Sequence, residues 1–214
     1  TGLTSGTANT HTLMYHNRFY ACYETSLPFE LELDDRGAIR GAVGHETFGG
    51  TLDYPVSAHP KVDPRTGSIL FHSYTSDPVM VERDGPLKVG EYHGPSQDFG
   101  VYQGLPMNHT SFTHDMAFTE NYIVVYDGSV HFDKQKVVQF GAPVFDWKES
   151  HTMRIGLVSR RDGHTEWFDT GRPLTIVHTL TAWEEEDGTV VLWAPVGDRV
   201  DLGLVNDDKN VFHM

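Results

Sequence analysis

Three histidines stand where a metal ligand would be useful. His114, with Asp115, sits directly ahead of Ile123-Val124-Val125-Tyr126, a β-branched and aromatic run that stops at Asp127-Gly128 and so reads as a strand closed by a tight turn. His59 precedes a proline and the turn Asp63-Pro64-Arg65-Thr66-Gly67, which leads into the apolar strand Ile69-Leu70-Phe71. His178 lies inside the β-rich run 174–181. Imidazole suits zinc, iron, copper and nickel alike, so this donor set implies a transition metal without choosing one. Cys22, the only cysteine, cannot build a thiolate site or an internal disulfide, which leaves histidine and carboxylate as donors. Asp115 reads as structural, because adjacent strand residues point to opposite faces and His114-Asp115 cannot form a simple hydrolase dyad. There is no GxSxG elbow and no GxxxxGK[ST] loop to anchor a hydrolase or nucleotide-binding reading.

The elements that must position these residues are strands. Twenty-one glycines, eleven prolines and 12% aromatics, with no long helical periodicity, indicate an all-β fold of short strands and turns in a chain of 214 residues. Strands are expected at 11–16, 19–24, 69–74, 78–83, 122–126, 136–140, 154–159, 174–181 and 189–194. The three histidine segments recur at intervals of roughly 55 to 65 residues, near the size of a four-stranded propeller blade with its loops. One histidine from the innermost strand of each blade would converge on a central axis, which a sandwich would not achieve. The net charge of −14 excludes a phosphate backbone as partner, since nucleic-acid binding needs a basic face. The chain has no long apolar run and no basic-then-apolar leader.

The segments SAHPKVDPRTG, FTHDMAFTENY and VHTLTAWEE, together with ACYETSLPFEL and ANTHT upstream, resemble the carotenoid cleavage oxygenases. The resemblance implies a seven-bladed β-propeller with Fe(2+) on its axis, of which residues 1–214 form a part incomplete at both ends. It implies His59, His114 and His178 as iron ligands, with a fourth histidine beyond residue 214, so His213 is read as lying outside the set. Glu24 would accept the N–H of His114, the usual arrangement by which a carboxylate orients a metal-bound imidazole. The methyl group of Thr10 would crowd one open iron position. The implied reaction is cleavage of a conjugated C=C bond in a carotenoid or apocarotenoid, with dioxygen and an apolar polyene as partners and peripheral membrane contact for substrate uptake. Cytoplasm and plastid are both compatible with the residues present. Competing readings are a retinoid-type isomerohydrolase, a stilbene-cleaving oxygenase and a non-catalytic propeller interaction module. Stilbene cleavers of the family carry lysine before the motif glutamate, where this chain has Tyr23, which favours an apolar polyene. The other histidines, among them His45, His93, His109, His131, His151 and His164, read as surface residues.

Overall fold

The computed structural model describes residues 3–4, 6–24, 26–94, 98–133, 139 and 145–199. Three four-stranded antiparallel sheets organise them. The first is a meander of β1 (His11–Tyr15), β2 (Arg18–Cys22), β3 (Phe29–Leu33) and β4 (Ile39–His45). Its opening hairpin pairs Tyr15 with Arg18 across His16 and Asn17, both at positive φ, the conformation that a two-residue primed turn requires. The turn therefore falls one residue earlier than residues 17–18, the gap between the expected strands 11–16 and 19–24.

The second sheet is the meander of β5 (Lys61–Val62), β6 (Ile69–Tyr74), β7 (Leu87–Tyr92) and β8 (Phe99–Leu105). Between β6 and β7 lies α1 (Pro78–Asp84), which corrects the strand expected at 78–83. Val79 and Val81 suggest a strand, but the flanking residues decide: Asp77 accepts from the backbone N–H groups of Val79 and Met80, Pro78 starts the helix, and Gly85 ends it at φ 85°. The third sheet has the order β14-β13-β10-β9, built from β9 (Ala117–Phe118), β10 (Tyr122–Asp127), β13 (Arg154–Ser159) and β14 (Thr165–Asp169). Three two-stranded pairs complete the described residues: β11 (Val130–Phe132) with β12 (Phe145–Trp147), β15 (Thr175–Ile176) with β18 (Val196–Gly197), and β16 (Thr181–Glu184) with β17 (Val190–Trp193). The expected strand 136–140 lies, Gln139 apart, outside the described residues, as does His213.

The core shows why successive sheets stack. Along β6, Ile69 and Phe71 join one cluster with Tyr15, Tyr20 and Cys22 of the first sheet, whereas Leu70 and Tyr74 join another with Ile123, Val125 and Val158 of the third. That alternation is the period of two a strand imposes, and it makes β6 apolar on both faces because sheets pack on both. Tyr126 repeats the device at the end of β10, packing with Met153 and Ile176 beyond the third sheet. Sheets stacked face to face in chain order are the arrangement of propeller blades. Among the described residues no sheet closes on itself, and no helix is long and apolar enough to cross a membrane.

Candidate metal centre

Each of the three sequence-predicted histidines lies in an irregular segment flanking a strand. His59 precedes β5; Ser57, two residues earlier, is fastened by its N–H to the His72 carbonyl at 2.8 Å and by its hydroxyl to the His114 carbonyl at 2.8 Å. His114 lies three residues before β9, where the Thr113 hydroxyl donates to the Tyr126 carbonyl at 3.0 Å and buried His72 donates Nε2–H to the Thr113 carbonyl at 2.6 Å. His178 lies between β15 and β16 rather than within a strand, and is exposed.

Asp115 joins the three segments. Its buried carboxylate meets Lys61 Nζ at 2.7 Å, beside His59, and accepts the N–H and hydroxyl of Thr179, beside His178, at 2.9 and 3.0 Å. Burial pushes this carboxyl upward, but the bonds from Lys61 and Thr179 outweigh it and hold the group below its ordinary range. Tyr126 adds a second tie, accepting from the Asp115 N–H at 3.0 Å and donating to the Val177 carbonyl at 3.2 Å. The structural reading of Asp115 thus gains a specific content: it holds the neighbours of His59 and His178 against the segment that carries His114.

The imidazoles meet as a result. One ligand nitrogen from each of His59, His114 and His178 lies within 4.8 Å of the others, and the three ring planes are close to mutually perpendicular, at 71°, 87° and 79°. The Nε2 atoms of His59 and His114 are 2.9 Å apart. Two nitrogens bound at right angles to one ion at about 2.1 Å would stand about 3.0 Å apart, so the spacing fits a shared metal. The remote nitrogen of His114, Nδ1, is 2.7 Å from Glu24 Oε1; neither atom has a further hydrogen-bond partner. Glu24 is held from its other side by the Tyr74 hydroxyl, which donates to Oε2 at 2.6 Å. Burial first, and then the neighbouring His114, lowers the His59 pKa to about 4, so this imidazole is neutral at pH 7 and offers a lone pair. A neutral imidazole cluster with one carboxylate behind it suits a borderline divalent transition ion.

Thr10 is not brought among these rings. Its N–H continues the β1–β2 pairing to the Cys22 carbonyl at 3.2 Å, and its exposed hydroxyl donates to Asn9 Oδ1 at 3.1 Å. The side chain from this stretch that does approach is His11, whose ring centroid lies 5.2 Å from that of His59. Burial and the Lys61 charge lower its pKa. Sequence reading passed over His11, although it stands one residue from Thr10.

A family model described as retinal pigment epithelial membrane protein matches residues 2–210. The chain belongs to this family. Other members are carotenoid cleavage dioxygenases. The carotenoid 9,10(9',10')-cleavage dioxygenase 1 of Phaseolus vulgaris is 28% identical over 220 residues, covering 98% of this chain and 39% of its own. The probable carotenoid cleavage dioxygenase 4, chloroplastic, of Arabidopsis thaliana is 29% identical over 197 residues, covering 89% and 32%. The lignostilbene dioxygenase of Pseudomonas brassicacearum superposes with a TM-score of 0.78 at 26% identity, over 92% of this chain and 40% of that one. The chain thus spans about two fifths of the length of the relatives it matches.

The surface reading of the remaining histidines is overturned at fully buried His72 and partly buried His11 and His45, and with chemical consequence at three further positions. His109, His131 and His151 are partly buried and lie together, with one ligand nitrogen from each within 4.8 Å of the others. No shared motif joins them in the sequence. The one local signal was the crowding of polar residues around Asp127-Gly128, where the chain turns out of β10.

Proposed function

We propose that the protein is a non-haem iron(II) dioxygenase that cleaves a conjugated C=C bond of a carotenoid or apocarotenoid, each alkene carbon becoming a carbonyl carbon. The observation that carries this reading is the convergence of His59, His114 and His178, with Glu24 on the far nitrogen of His114, in a chain of this family. These three histidines would hold the iron, and a fourth ligand would come from beyond residue 214. When bound, iron(II) supplies the activation of dioxygen beside the polyene. The work of the chain's own residues is positional. Glu24 orients His114 and balances the charge of an ion bound by neutral donors, and Asp115 holds the three segments in register. In the balanced reaction the C=C bond breaks and the two atoms of one dioxygen molecule end as the two carbonyl oxygens.

A seven-bladed propeller with the iron on its axis fits the stacked four-stranded sheets, of which this chain supplies some blades. The names of the relatives support the substrate class, and Tyr23, in place of a lysine that would bind a phenolate, favours a polyene over a hydroxystilbene. A chloroplastic relative is consistent with a plastid location. The test is incubation of the full-length, iron-loaded protein with β-carotene, an apocarotenal and resveratrol under labelled dioxygen. Label in both carbonyl products of a polyene supports the proposal. An isomerised, unlabelled product would make the protein an isomerohydrolase, cleavage of resveratrol alone a stilbene oxygenase, and absence of bound iron a non-catalytic module.

A further inference from the structure

His109, His131 and His151 come from three places that the end of β10 draws together. His109 lies in the loop before β9, His131 in the middle of β11, and His151 in the turn after β12, where its N–H bonds the Lys148 carbonyl at 3.0 Å. The rings of His109 and His131 stack with centroids 3.8 Å apart, and His151 stands edge-on to His109 at 4.2 Å. Beside them is Asp127, fully buried, with its two oxygens engaged differently. Oδ2 accepts the Arg154 guanidinium through Nε at 3.1 Å and through Nη2. Oδ1 is approached by His109 Nε2 at 2.9 Å, by His151 Nε2 at 3.0 Å and by the Ser111 hydroxyl.

Crowding at Oδ1 can be relieved within the protein, since the Ser111 hydroxyl also reaches the Gly128 carbonyl at 3.0 Å and His109 Nε2 at 3.1 Å, which leaves Oδ1 to the two imidazoles. What the protein leaves unsatisfied is His131 Nε2, which is buried and has no hydrogen-bond partner. A cation among the three imidazoles gives that nitrogen a partner and takes the lone pairs beside it as ligands. The side chains of His109 and His151 are 20% and 21% exposed, which leaves a route from solvent.

We infer that His109, His131 and His151 form a second metal site, for one divalent transition ion of the zinc or cobalt class, with Asp127 as its charge partner. Three imidazoles and a buried carboxylate are the donor types such ions prefer over magnesium or calcium. The site shares no residue with the His59 cluster, and the ion would clip β11 and the turn after β12 to the loop that leads into His114. Its role is to fasten that loop.

The test uses the full-length chain stripped of metal and dialysed against zinc, with bound metal counted per chain and folding checked by circular dichroism. His131→Phe keeps a flat ring over His109 while removing the ligand nitrogen, and His151→Gln removes a second. Each variant is expected to hold one zinc ion fewer than the wild type. Site-resolved carbethoxylation of the wild type gives a measure that needs no variant: stoichiometric zinc should lower labelling at His109, His131 and His151 by at least about tenfold and leave His164, whose side chain is 73% exposed, unchanged. Equal zinc content in wild type and folded variants, or labelling at these three histidines that zinc does not alter, would overturn the site and leave a cluster held by hydrogen bonds and water.

Discussion

The two histidine clusters of this molecule reach similar spacing by opposite means. His59, His114 and His178 come from segments far apart in sequence, and they meet only because the sheets stack and Asp115 ties the segments together. His109, His131 and His151 come from a loop, a short strand and a turn that are closer in sequence, and two of them bond Asp127 at the end of one strand. In the first cluster the carboxylate stands behind one imidazole, on Nδ1 of His114, and leaves the facing Nε2 atoms of His59 and His114 toward a common point. In the second the carboxylate contacts two imidazoles and is itself engaged by Arg154. On the proposed readings, the first geometry would leave positions of a bound metal open to other molecules, as catalysis requires, and the second would hold an ion among protein groups, as a structural clip requires.

Breaking the first cluster should have the largest effect on chemistry. His59→Ala, His114→Ala or His178→Ala is expected to abolish turnover and iron retention in the full-length enzyme, with His164→Ala unchanged in both; metal content and product formation measured together check this. Equal tolerance at all four positions would reduce the cluster to packing.

The struts beneath that cluster should dominate stability. Arg160, 8% exposed, bridges Asp63 in the turn after His59 and Glu91 of β7 at 2.9 and 2.6 Å. Arg160→Met leaves buried Glu91 without its cation and buried Asp63 with only the half-exposed Arg65 at 3.4 Å, and should cost roughly 3–5 kcal/mol by urea denaturation. A loss below about 1 kcal/mol would show that the pair is solvated in solution.

On the second cluster, Asp127→Asn removes the charge that Arg154 needs and should lower stability by a few kcal/mol, about as much as breaking another buried pair. Adding zinc should raise the midpoint of the wild type and not that of this variant. A zinc response equal in the two proteins would detach Asp127 from the ion.

Acid should act on both regions together. Burial pushes Asp63 upward, but the Arg65 N–H and the Arg160 and Arg65 guanidinium groups lower its pKa to about 2 from 3.8. Asp127, likewise penalised by burial, is held well below the ordinary range by His109, Ser111 and Arg154. Both folded values lie below the unfolded one, so their contribution is fully present above about pH 4 and is lost as pH falls toward 2. Melting temperature followed from pH 7 to 2 should be flat at first and then fall steeply. In the Arg160→Met variant the fall should be shallower, because Asp63 has lost its main cation.

Glu24→Gln sharpens the contrast at lower amplitude. It keeps the shape and weakens the acceptor on His114 Nδ1, and should reduce iron retention or activity by roughly 10–100-fold without unfolding the chain. The smallest effect belongs to Tyr23→Lys, which should raise the ratio of hydroxystilbene to polyene cleavage, read from competition between the two substrates.

Histidine identity and the local motifs were enough to point to the first cluster, because each candidate ligand stands beside punctuation that a strand boundary needs: a proline, a turn, or a β-branched run. The same local chemistry announced the Asp63–Gly67 turn, where Gly67 sits at φ 72° and donates to the Asp63 carbonyl at 2.8 Å. It also carried the signal for α1, Asp77-Pro78 at the start and Gly85 at the end, and the misreading of 78–83 came from weighing two valines above those caps. Alternation along β6 and β10 was visible as apolar content, but a strand apolar on both faces does not say which sheet covers each face.

Periodicity and turn residues are properties of neighbours in the chain, and they marked the all-β character, strands such as β1, β2, β6, β10 and β13, and three candidate ligands, but not β4, β7, β8 or β14. Tertiary structure alone decided that Lys61 and Thr179 meet on one carboxylate of Asp115, that Thr10 turns to Asn9 and away from the rings, and that His109 and His151 meet on Asp127 with His131 beside them. The Asp115 and Asp127 contacts join segments that only the folded chain brings together. The energy of such a contact depends on burial and on what else surrounds it, and neither quantity exists for a residue until the sheets have packed.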